Sequence, residues 1–234
     1  MQQSTETRWF IDASQANSFE KWFSASPFNL KFPETDSFPR QDYYMNLPGI
    51  STLGLKIREP KIGKLSSKPE AKIEAKVLVQ DLGTKALPNN NSAKINRWAK
   101  FSFNLLPEEK TMMNIINALS GSTSIHALDY KNFWIRIDKN RLLLTYDNKK
   151  KKIVDNTIQK IDEGCGIELT KMKVRDHIYY SFGLEAFSGR GNDKDNLFET
   201  LEYFFNQTMF SNLSVNQSLS YPEFINSLYL TDIV

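Results

Sequence analysis

Lys72-Ile-Glu-Ala-Lys-Val77 sets a charged residue at every second position of a segment whose remaining residues are apolar. The same period returns upstream in Leu55-Lys-Ile-Arg58 and downstream at Glu168, between Ile167 and Leu169, and at Glu185, between Leu184 and Ala186. Successive side chains of a strand point to opposite faces, so each segment has one apolar and one charged face. An open antiparallel sheet would turn the charged face to water. A sheet closed into a barrel would gather it into a polar interior, and the alternation alone leaves both arrangements open.

Around these segments the chain is rich in strand patterns. Residues 8–12 predict a first strand, and Ser14 predicts the N-cap of a helix to residue 24, with Phe19, Trp22 and Phe23 on one face. Pro27, Pro33 and Pro39 predict an irregular connection. Strands are then expected at 42–46, 53–59, 71–80 and 95–104, with polar insertions at 60–69 and 88–92. Pro107 opens an expected helix carrying Met112, Met113, Ile115, Ile116 and Leu119. Segments 133–138 and 141–147 flank Lys139-Asn140, a short hairpin signal, and 153–161 suits a strand or a short helix. A second hairpin is expected from 166–173 and 178–187, followed by helices at 195–210 and 221–230, the latter opened by Ser220. About eight strands with few βαβ units predict an α+β chain, an antiparallel barrel with flanking helices, as one domain over residues 1–234.

Composition narrows the chemistry. The 234 residues include 16 Phe, 9 Tyr and 4 Trp, enough apolar surface for a sizeable core. With 30 basic and 27 acidic residues the net charge is +3, so a dedicated nucleic-acid binder is not favoured. Cys165 is the only cysteine, and His126 and His177 the only histidines, which leaves no disulfide framework and argues against a Cys/His zinc site. The polar N-terminus and the lack of a long apolar run predict a soluble, cytoplasmic protein without a membrane span.

Three groups of residues carry a family resemblance: Arg40-Gln-Asp-Tyr-Tyr-Met, then Gly54-Leu-Lys-Ile-Arg-Glu, then Glu70-Ala-Lys-Ile-Glu-Ala-Lys. Their order resembles that of CYTH-like domains of the triphosphate tunnel metalloenzyme superfamily. Trp134-Ile-Arg136, Gly166-Ile-Glu168-Leu and Gly183-Leu-Glu185-Ala-Phe look like that family's later strands. The resemblance spans most of the chain through short motifs. It implies an eight-stranded antiparallel barrel forming a tunnel that holds a triphosphate-containing or polyphosphate ligand. Arg40, Lys56, Arg58, Lys72, Lys76, Lys100 and Arg136 would then bind phosphate, since guanidinium forks take phosphate oxygens in pairs and lysine adds a point charge. Glu6, Glu74, Glu168 and Glu185 would hold Mg2+ or Mn2+, with Glu168 and Glu185 catalytic in metal-assisted attack of water on the terminal phosphoryl group.

One departure bears on that chemistry. Catalytic members begin with an E-x-E-x-K strand, whereas only Glu6 matches here, and Arg8 and Phe10 stand in the other two places. A hydrolase needs a fuller acidic site, so the alternative is a non-catalytic module binding nucleotide, RNA or a protein on the same fold. The plain structural readings stand beside these: charged outer faces paired across strands, Glu168 and Glu185 in structural ion pairs, and Arg136 paired near Asp138. The tryptophans read mainly as core, Cys165 as a packing residue, and Gly189-Arg-Gly191 as a turn.

Overall fold

The computed structural model describes residues 2–33, 37–58, 71–105, 134–154, 161–208, 210 and 212–231. The insertion at 60–69, the helix expected from Pro107, His126 and most of 153–161 lie outside the described residues. In chain order the elements are β1 (Gln2–Ile11), α1 (Ala13–Ser24), β2 (Arg40–Met45), β3 (Leu53–Arg58), β4 (Ala71–Leu87), β5 (Asn91–Leu105) and β6 (Trp134–Asp147). They continue with β7 (Lys152–Val154), β8 (Glu163–Val174), β9 (His177–Ser188), α2 (Asp193–Gln207), a 3-10 turn (Val215–Gln217) and α3 (Tyr221–Thr231). Every strand pairing is antiparallel, in the order β2-β3-β4-β5-β1-β9-β8-β6, and β6 returns to β2. The result is a closed eight-stranded barrel, with β7 as an extra strand on the far end of β6.

β1 explains why the wall is built this way. Its odd positions, Thr5, Thr7, Trp9 and Ile11, are buried on the outside of the barrel. There Trp9 lies 6.0 Å from the rings of Phe182 and Phe205, and Phe19 of α1 stacks on Phe182 at 4.1 Å. Leu197, Leu201, Phe204 and Phe205 of α2 complete this core, so the apolar face of the alternation is covered by helices. The even positions, Glu6, Arg8 and Phe10, face inward. Away from the helices, Val77, Val79, Phe101 and Phe103 are exposed on the outer face of β4 and β5.

Several elements differ from expectation for identifiable reasons. β1 starts at Gln2 rather than residue 8, because its polar first half is wedged between β5 and β9 and shows no apolar run. Residues 88–90 form a tight turn, with Asn89 and Asn90 at φ 60° and 58°, and the flanking strands run right up to it, so residues 91 and 92 of the expected insertion belong to β5. Lys139-Asn140 is no hairpin: β6 is continuous, pairing with β2 over its first half and with β8 over its second, which closes the ring. Helix α1 is capped by Asp12 instead of Ser14, its carboxylate accepting the Gln15 amide at 2.8 Å. Asp12→Ala should therefore lower stability by about 1 kcal/mol in urea denaturation.

Helix α3 enters one end of the barrel. Phe224 and Ile225 pack on the inward-facing Tyr44, Ile135, Ile137, Met172 and Val174, and Phe224 stacks on Phe10 at 3.9 Å. Among the described residues no helix is long and apolar enough to cross a membrane.

Candidate functional site

The inward faces of the strands converge on a cavity of about 210 Å³. Its wall carries eight cationic side chains (Arg8, Arg40, Lys56, Arg58, Lys76, Lys100, Lys139, Arg141) and four carboxylates (Glu6, Glu74, Glu168, Glu185), with Tyr44, Trp98 and Tyr221 between them. Cross-strand register fixes the neighbours: Lys56 stands opposite Glu74, Asp42 opposite Arg58, and Glu6 opposite Glu185. Arg8 lies opposite Gly183, where a Cβ would come within 2.9 Å of the guanidinium carbon, so glycine makes room for arginine.

The charges fall into three linked groups. Asp42, with no exposed surface, accepts from Arg40 Nε at 3.0 Å and Nη2 at 2.8 Å and from Arg58 Nε at 3.2 Å, with Lys139 Nζ at 3.6 Å and Lys56 Nζ at 4.0 Å. Burial opposes its ionisation, yet Lys139, Lys56 and Arg40 hold it well below the usual carboxylate range. Glu74 meets Lys56 and Arg58 at 2.8 Å and Lys100 at 3.5 Å; burial opposes its charge, but these cations lower it to about 2. Lys56 does not gain equally: burial, with repulsion from Arg58 and Arg40, outweighs Asp42 and Glu74 and brings it down to about 7. The difference is geometric, because Glu74 sees mainly cations whereas Lys56 sees both signs. Burial likewise pushes Lys139 well below the ordinary lysine value.

Glu168 accepts from Arg8 at 3.2 Å, Arg141 at 2.8 Å and Thr170 at 2.8 Å. Burial works against its charge, but Arg8 and Arg141 keep it ionised far into acid. Lys76 Nζ donates to Glu6 at 2.6 Å and Glu185 at 3.0 Å. Those two acids outweigh burial and raise the lysine, while Lys76 lowers Glu185.

Of the residues expected from sequence, Arg40, Lys56, Arg58, Lys76, Lys100, Glu6, Glu74, Glu168 and Glu185 meet on this wall. Lys72 is half-buried and lies outside the lining set. Arg136 is corrected: its side chain is 51% exposed and pairs with Asp138 at 2.9 Å on the outer surface, because it shares the face of Tyr43, opposite that of Ile135 and Ile137. Sequence reading missed Lys139, taken for a turn, and Arg141, which has the parity of its neighbour Glu168. It also missed Asp42 and Tyr44, which share parity with Arg40, and Tyr221 on α3. Trp98 Nε1 is buried beside the cavity and has no hydrogen-bond acceptor among the described residues. Cys165 is fully buried in the outer core, where burial pushes the thiol up and makes it a poor nucleophile.

A divalent ion would need carboxylate oxygens free to converge on it. Here a lysine ammonium occupies the space between Glu6 and Glu185, and Glu168 is committed to two guanidinium groups. Among the described residues no three acidic, histidine or cysteine side chains converge as metal ligands. The donor set in this arrangement does not fit Mg2+ or Mn2+. In comparisons of the sequence with known proteins, no protein-family model and no curated protein matches the chain.

Proposed function

We propose that the barrel is a CYTH-like tunnel that binds the phosphate chain of a triphosphate-containing or polyphosphate ligand and does not hydrolyse it. The observation that carries this reading is the excess of basic groups in a closed, partly desolvated lumen, eight basic side chains on the cavity wall against its four carboxylates and the buried Asp42 beside them. Such an excess is costly unless an anion offsets it, and phosphate oxygens match both guanidinium forks and ammonium groups. The Trp98 N–H adds a further donor with no acceptor among the described residues. Hydrolysis is not supported, because the carboxylates that would hold metal are each engaged by a cation of the chain.

Calorimetry with tripolyphosphate tests the reading. Binding is expected in EDTA as well as in Mg2+, weakening as salt rises, and Lys100→Ala should weaken it about tenfold by removing one charge-assisted contact. Phosphate release that requires Mg2+ and disappears in Glu168→Ala would establish the hydrolase reading instead. A Lys76→Ala variant gives the complementary result: with the ammonium gone, Glu6 and Glu185 face one another, and Mn2+ should raise its Tm while leaving that of the parent unchanged.

A further inference from the structure

Taking the phosphate reading as its basis, we infer that the tunnel is blind and recognises the free end of a linear phosphate chain, inserted terminal group first. The floor is built from α3. Tyr221 closes the cavity, with Lys139 Nζ 3.8 Å and the Arg8 guanidinium 4.9 Å from its ring centroid, and its own ring stacks on Tyr44 at 5.0 Å. Behind it Phe224 and Ile225 fill the barrel end with apolar contacts. No charged chain crosses that layer without displacing it.

The floor is also fastened to the wall. Leu219 donates its amide to the Arg8 carbonyl at 3.0 Å, Ser218 bridges to Trp9, and Glu223 pairs with Lys94. Pro222 lies so close to β3 that a Cβ on Gly54 would meet it at 3.2 Å. A helix held at this many points is part of the wall.

The two cations over the Tyr221 ring are poorly exposed, Arg8 at 12% and Lys139 at 3%, whereas Arg141 and Lys100 on the same wall are 32% and 27% exposed. At the closed end an anion meets the Arg8 guanidinium, which keeps its charge there, and Lys139, whose charged form the anion itself favours. A terminal phosphoryl group carries more charge than an internal one and has no onward chain to accommodate, so it suits that end. Long polymers and short ones would bind alike, through their ends.

The test is calorimetry on the full chain with tripolyphosphate, ATP, a dinucleoside tetraphosphate whose two ends are both esterified, and a linear polyphosphate of defined length. Tripolyphosphate and ATP should bind with similar affinity, and the doubly esterified compound at least about tenfold more weakly. The long polymer should saturate at no more than two protein molecules per chain. Equal binding of ATP and the dinucleoside compound, or protein loading that grows with polymer length, overturns end recognition while leaving phosphate binding intact. Failure of all four ligands to bind overturns the phosphate reading and end recognition with it.

Discussion

Asp42→Asn should destabilise the protein by about 3–5 kcal/mol, read as a lower urea midpoint, because it removes the one fully buried anion among four cations. Asparagine keeps the shape and loses the charge. Lys56 and Lys139 can respond by shedding protons, but Arg40 and Arg58 cannot, so Arg40 is left in the lumen without its paired carboxylate and Arg58 keeps only Glu74. The pH dependence has a definite sign. Asp42's folded pKa is depressed, so its contribution is present above the unfolded carboxylate value of about 3.9 and is lost as pH falls below it. Tripolyphosphate should restore much of the variant's Tm, since an anion in the lumen stabilises only the folded state. Asp138→Asn is the control. Its partner Arg136 is half exposed on the outside, so the loss should stay below about 1 kcal/mol. A loss that small for Asp42→Asn would refute its role as the anchor of the basic wall.

How much of this was legible in the sequence depended on which face carried the signal. Strands with a charge at every second residue, such as β3 and β4, were located from periodicity alone, and their closure into a barrel followed from strand number. The first half of β1 was invisible, because Thr5 and Thr7 outside and Ser4 and Glu6 inside leave no apolar stripe. Lys139-Asn140 looked like a turn because buried lysine is rare. Only the barrel supplies its partners, Tyr44 and Asp42 from another strand. Arg136 was assigned inward from its place in a motif, but the pleat decides orientation, and Ile135 and Ile137 claim the inside.

The acidic half of the site shows a further limit. Glu6, Glu74, Glu168 and Glu185 line one cavity, yet sequence could not say what each would touch. Those contacts depend on cross-strand register: Lys76 reaches Glu6 and Glu185 because β4, β5, β1 and β9 are neighbours in the ring. Arg8, where the resemblance implied a second acidic residue, is paired with Glu168 from another strand of the barrel.

Binding of a phosphate chain should take up protons near pH 8, with Kd rising as pH climbs from about 7. Lys56 is the source. It lies 2.8 Å from Glu74 and 4.0 Å from Asp42, but Arg58 and Arg40 repel it, and burial brings it to about 7. At pH 8 the free protein therefore carries Lys56 mostly neutral. A polyanion in the cavity favours the charged form, so the lysine recovers its proton on binding and the affinity becomes linked to pH. Each linked proton makes Kd rise by up to about tenfold per pH unit above the free value, and Lys139, also lowered by burial, adds to the slope. Below pH 7 Lys56 is already charged, and its share of the slope vanishes. Calorimetry in buffers of different ionisation enthalpy measures the uptake directly. Lys56→Met should remove close to one proton from it, while Arg58→Met, by deleting a repelling neighbour, should move the onset of the slope to higher pH. Proton uptake unchanged in Lys56→Met would show that the lysine stays charged in the empty lumen, and that its contacts with Glu74 and Asp42 outweigh its burial.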